Sequence, residues 1–109
     1  MTHFGSVMVF IEVSTFQRSA AKLLDEDDLA ALQTLLLLHP DAGAVIPGTG
    51  GLRKVRVPAK GRGKRGGGRV IYYWVTADAR IFLLYAYAKN ERTDLTPRQA
   101  KLFREIVGQ

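Results

Sequence analysis

Apolar positions along the chain fall into two periods, and their alternation predicts seven elements. Residues 7–13, VMVFIEV, are β-branched and aromatic and read as a buried first strand. Ser14 offers a helix N-cap, after which Phe16, Ala20, Leu23 and Leu24 share one helical face. Asp25 with Asp28 marks a second capped start, with acids throughout 25–28 suited to the positive end of a helix. Leu29, Leu32, Leu35 and Leu36 continue that helix, and Pro40 stops it because proline restricts its predecessor and lacks a backbone donor.

Residues 40–51 carry Pro40, Pro47 and four glycines and read as a loop. The strand LRKVRV at 52–57 alternates, with Arg53, Val55 and Val57 on one face and Lys54 and Arg56 on the other. The run at 69–75, RVIYYWV, has no polar face after Arg69 and reads as a central strand covered on both sides, so Tyr72, Tyr73 and Trp74 are core candidates. A turn at 76–79 leads into RIFLLYAY at 80–87, its hairpin partner. Thr96-Pro97-Arg98-Gln99 forms a capping box with proline at the first helical position, and Ala100, Phe103 and Val107 give the last helix a buried stripe. The order β-α-α-β-β-β-α predicts an α+β fold, a small, mostly antiparallel β-sheet with helices packed on it. At 109 residues the expectation is a single domain spanning 1–109.

Charge changes the picture at one place. Of sixteen basic residues, eight lie between Arg53 and Arg69 with no carboxylate among them, so the remainder holds eight basic against ten acidic residues. The whole positive excess of the protein sits in that window, which includes a loop at 58–68 with five glycines in 61–68. Cations interleaved with glycine make a backbone that approaches a ligand closely and can follow a phosphate chain. The partner implied is a polyanion. GKRGGGR lacks the ending of a nucleotide-binding P-loop, and a strand follows it where that motif needs a helix. No cysteine is present, which excludes disulfides and thiolate metal sites and fits a reducing, cytoplasmic setting. MTHFGSVMVFIEV lacks a basic leader region, and no apolar run approaches membrane-spanning length, so neither export nor a membrane partner is expected.

His3 and His39 belong to no metal or triad pattern, and no paired carboxylates lie near the basic strands, so neither metal nor cofactor is expected. The available chemistry is that of lysine, arginine and tyrosine. A lysine crowded by other cations loses its proton more readily and can act as a general base. Arginine holds the charge that develops on a phosphate. That pairing suits RNA cleavage by the neighbouring 2′-hydroxyl.

GTGGLRKVRV, KGRGKRGGGRVIYYW and YAKNERTDLT, together with the element order, resemble the RelE/ParE superfamily of toxins from type II toxin–antitoxin systems, closest to its RelE/HigB-type members. The resemblance covers essentially the whole chain. It implies a ribosome-dependent mRNA endonuclease (an mRNA interferase) that cleaves translated mRNA in the decoding site and inhibits translation and growth. It further implies a cognate antitoxin, with DNA contacted only indirectly through the antitoxin complex. Residue by residue, Arg69 matches the family arginine at the scissile phosphate. Lys54 and Arg56 stand where basic strand residues are placed, Arg56 replacing a frequent lysine. Asn90 stands where RelE often has an arginine, and Thr96 roughly where it has a C-terminal tyrosine. Tyr87 is the substitute expected to stack on or orient a nucleotide, and Lys60 or Lys64 the proton carrier. Arg53, Lys54, Arg62, Arg65, Lys89 and Asn90 are the expected RNA-binding set. Two other readings share the patch: a ParE-like inhibitor of DNA gyrase, and a non-catalytic RNA- or ribosome-binding module.

Overall fold

In chain order, the computed structural model contains β1 (Val9–Glu12), α1 (Ser14–Ala21), α2 (Glu26–Leu38), β2 (Ala44–Val45), β3 (Arg53–Val57), β4 (Gly68–Val75), β5 (Arg80–Ala88) and α3 (Pro97–Ile106). It describes residues 8–59, 67–91 and 95–108. One five-stranded sheet runs in the order β1-β5-β4-β3-β2, so β4 is central, as its two-sided apolar sequence predicts. The pairs β2–β3, β3–β4 and β4–β5 are antiparallel, and β1 joins β5 in parallel.

The caps explain where the helices begin. Asp25 accepts from the Asp28 N–H while the Asp28 carboxylate accepts from the Asp25 N–H, a reciprocal box at the start of α2. Thr96 and Gln99 make the same exchange at α3, with Pro97 leading its first turn. At α1 the expectation fails. Val13 is the N-cap residue and gives no side-chain bond, and Ser14 is already helical.

The core lies on both sides of the sheet. Phe16, Leu23, Leu32 and Leu36 of the α1–α2 layer pack on Val55, Val57, Val70, Tyr72, Ile81 and Leu83. Phe103 of α3 packs on Leu52, Ile71, Leu84 and Tyr87 from the opposite side. Burying both faces is the main stabilising term, roughly 1.5–3 kcal/mol per large apolar side chain. The first strand is not buried as expected. Among the described residues it lies at the sheet edge with β5 on one side only, and Val9 is 49% exposed.

Two features have no counterpart in the predicted elements. The loop at 40–51 contains β2, two residues long, which extends the sheet beside Arg53 and Lys54. Within β5 the register steps between Ile71↔Tyr85 and Tyr72↔Leu83, leaving Leu84 as the extra residue of a bulge. The step resets the alternation. Ile81 and Leu83 face α1 and α2, as do Ala86 and Ala88, whereas Leu84 and Tyr87 face α3.

Tyr72 ties the helical layer to the sheet. Its hydroxyl donates to the Pro40 carbonyl at 2.7 Å and accepts from the Gly43 N–H at 2.9 Å. Gly43 is required there, since a Cβ would stand 2.8 Å from the Lys54 carbonyl oxygen and 2.8 Å from the Tyr72 ring.

Candidate nucleic-acid interface

Strand alternation and register together build the site. Val55 and Val57 point into the α1–α2 core, which turns Lys54 and Arg56 to the α3 side of the sheet. Arg69 lies between Gly68 and Val70, and Val70 faces the α1–α2 core, so Arg69 also projects to the α3 side. Register then aligns Arg56 with Arg69, and Arg69 with Tyr87, in a single row across β3, β4 and β5. The adjoining row is Lys54, Ile71 and Tyr85. Directly opposed residues in an antiparallel pair have Cβ atoms roughly 4.5–5.5 Å apart, and like charges so placed destabilise the sheet. A row that opposes two arginines is therefore suited to an anion lying across it.

Arg56 is exposed and Arg69 half-buried, with an Arg69 Nη1 donating to the Gly68 carbonyl at 2.9 Å. Tyr87 is 5% exposed, stacked on Tyr85 with centroids 6.0 Å apart, and Tyr85 in turn tilts against Phe103 at 6.2 Å. A ring so enclosed forms a wall of the site, and its packing is that of a sheet aromatic. Lys89 and Asn90 follow the end of β5 and are exposed, with the Lys89 N–H donating to the Gly67 carbonyl at 3.1 Å. They stand beside the point where the chain returns from the cationic loop. Lys60, Arg62, Lys64 and Arg65 lie outside the described residues.

Arg53 stands apart from these. Its guanidinium donates to the carbonyls of Gly43, at 2.7 Å, and Asp41, at 3.3 Å, and so fastens the connection between α2 and β2. The arrangement thus brings together Lys54, Arg56, Arg69 and Tyr87, sets Lys89 and Asn90 at the margin, and gives Arg53 a structural task.

The neighbourhood of α1 lies outside the sequence expectations for the site. Among the described residues, β5 has no strand on its outer side beyond Leu83, and side chains close that edge. Thr15 Oγ1 donates to the Leu84 carbonyl at 2.6 Å, the Ala86 N–H donates to Ser19 Oγ at 2.9 Å, and the Ala88 N–H donates to Glu91 Oε1 at 3.2 Å. Between α1 and this edge runs a groove of about 740 Å³, with Arg18 and Lys22 on one wall and Tyr85 and Tyr87 on the other. The available signal was the spacing of Arg18 and Lys22, one helical turn apart on a helix whose apolar face is Phe16 and Ala20.

No group of three or more His, Asp or Glu residues that could hold a metal ion occurs among the described residues, and no helix there is long and apolar enough to cross a membrane. A mixed sheet with a cationic row on one face and helices on both is an α+β frame. The family model for the RelE toxin of the RelE/RelB toxin–antitoxin system matches residues 8–109, and the chain belongs to that family. A chain in the crystal structure of the toxin–antitoxin complex RelBE2 from Mycobacterium tuberculosis is similar to it, with a TM-score of 0.56 and 19% sequence identity over 75% of this chain and 98% of that one. At that identity the likeness is one of fold.

Proposed function

We propose that the protein is a ribosome-dependent mRNA endonuclease, held inactive in the cytoplasm by a cognate antitoxin. The observation that carries this reading is the row Arg56–Arg69–Tyr87 on paired strands, whose two opposed guanidinium groups suit a scissile phosphate. Rigid strands position such groups better than a loop can.

In the reaction, the 2′-hydroxyl attacks the adjacent phosphorus as its proton passes to a base, and the bond to the 5′-oxygen breaks. The products are a 2′,3′-cyclic phosphate and a 5′-hydroxyl end. Arg69 and Arg56 hold the negative charge that grows on the phosphate, a role that guanidinium groups perform without exchanging a proton. Lys60 or Lys64 takes the proton from the nucleophile and returns it to the departing 5′-oxygen, which leaves as the 5′-hydroxyl, and Tyr87 fixes the orientation of the nucleotide from beneath. Lys54, Lys89 and Asn90 hold the flanking strand. An acidic antitoxin surface would cover the row.

The test is 5′-end mapping of mRNA after a brief pulse of expression, with Arg69→Ala alongside. New ends inside translated frames are expected, reduced about 10²–10³-fold in the variant, as for loss of one oxyanion-type donor. They should vanish when translation is blocked beforehand. Wild-type cleavage by Arg69→Ala would overturn the assignment of Arg69. Growth arrest without new ends would replace the reading with gyrase inhibition or simple binding.

A further inference from the structure

The groove between α1 and β5 adjoins the cationic row, because Tyr87 belongs to both. Its shape follows from a mismatch in length. β1 pairs only with Arg80–Leu83, so β5 runs on to Ala88 with α1 beside it in place of a strand.

The hydrogen bonds along that edge exclude one kind of occupant. An added strand would need the N–H groups of Ala86 and Ala88, and both already donate to side chains. With those two donors taken, an anionic ligand in the groove is met by side chains. Those it offers are Arg18 and Lys22, both exposed and, among the described residues, in no ion pair. Its single acid, Glu91, is occupied by the Ala88 N–H. Lys22 is the C-cap residue of α1, one turn past Arg18 and about 6 Å from it along the helix axis.

We infer that this groove is a second RNA track, in which Arg18 and Lys22 contact phosphates flanking the one seated on the Arg56–Arg69 row. The inference rests on the RNA-cleaving reading above. It extends the substrate contact from one sheet face around the edge of β5, so a short RNA occupies the row alone and a longer one reaches both.

The test uses fluorescently labelled RNA oligonucleotides whose 2′-oxygens are methylated and so cannot attack. A trimer and a twelve-nucleotide strand are titrated by anisotropy across a series of KCl concentrations. Each phosphate contact on a single strand contributes about 0.7 to the slope of log K against log salt, so Arg18→Ala with Lys22→Ala should lower the slope for the long strand by about 1.4. The trimer should be unaffected, and exchanging the two charges, Arg18→Lys with Lys22→Arg, should restore the slope. Circular dichroism checks that both variants fold. An unchanged slope in the double alanine variant, with Arg56→Ala and Arg69→Ala still lowering it, overturns the groove and leaves the RNA-cleaving reading intact. If none of the four substitutions alters the slope, the groove fails, and 5′-end mapping with Arg69→Ala alone decides the RNA-cleaving reading. A double alanine variant that keeps its RNA slope but loses neutralisation by an acidic antitoxin assigns the groove to protein and overturns the inference.

Discussion

Replacing Tyr72 with phenylalanine removes one oxygen from the middle of the molecule and leaves the ring in place. Tyr72 is fully buried, and that oxygen serves both the Pro40 carbonyl and the Gly43 N–H. Gly43 is itself buried, so its N–H would be left unsatisfied, at a cost of about 1–3 kcal/mol. Pro40 is half-buried, and its carbonyl can recover part of the loss from water. Together these give a destabilisation of about 2–3 kcal/mol. At roughly 4 °C per kcal/mol for a chain of this size, the Tm falls by about 8–12 °C. Urea and thermal unfolding followed by circular dichroism measure both quantities. A loss under about 0.5 kcal/mol, the lower end for a single net hydrogen bond, would refute the tie between β4 and the α2–β2 connection.

The same residue sets an alkaline limit. Burial raises the Tyr72 phenol above its ordinary 10.0, against the Gly43 N–H bond and the charge of Arg53, which both lower it. Above pH 10 the unfolded chain loses a proton that the folded chain still holds, so stability is full below pH 10 and falls as pH rises beyond it. Wild-type protein should lose stability more steeply above that pH than Tyr72→Phe. Parallel alkaline slopes in the two proteins would contradict the burial argument.

Gly43→Ala drives a methyl group against the Lys54 carbonyl and the Tyr72 ring, and should cost about 1–3 kcal/mol in urea unfolding. Arg56→Ala removes one of two opposed like charges, so its Tm should rise, by about 0.2–1 kcal/mol in equivalent stability, while mRNA cleavage falls. A variant that loses stability and activity together would show that Arg56 serves the fold. Ala79 holds φ at 55°, a left-handed conformation costing an alanine about 1–2 kcal/mol, so Ala79→Gly should gain up to about 1 kcal/mol after the entropy of the freer unfolded chain is counted.

Local rules made much of this fold legible. The capping boxes at Asp25 and Thr96 locate α2 and α3, and alternation of valine with basic residues assigns Lys54 and Arg56 to the face opposite Val55 and Val57. What escaped was set by long-range pairing. IFLLYAYA is apolar throughout and carries no alternation from which the Leu84 bulge could be read. With the register fixed at the turn and no bulge, Arg69 would lie opposite Ala86, and Tyr87 would fall opposite Gly68 on the other face. The candidate row thus depends on one extra residue inside an unpatterned strand. The edge position of β1 was hidden for a related reason, since VFIE looks alike whether it has one neighbour or two. β2 is too short to leave a pattern. Arg53 reads in sequence as an RNA contact because its charge is visible there and its bonds to Gly43 and Asp41 are not.

The parallel pairing of β1 with β5 also sets the order in which the molecule is completed. Val9–Glu12 find their partners at Arg80–Leu83, and the bonds from Thr15 to Leu84 and from Ala86 to Ser19 close loops of 69 and 67 residues. Contacts so distant along the chain are expected to form after the local β3–β4–β5 meander, because the entropy of closing the long loop is spent before they reward it. During synthesis the first strand and helix emerge early and wait for β5, the strand that also supplies Tyr87. A nascent chain ending before Arg80 lacks both the lock on its N-terminal elements and the third member of the row. Such truncated chains should be rapidly degraded in limited proteolysis, and the toxin should acquire a fold and a site in the same late step of its own translation.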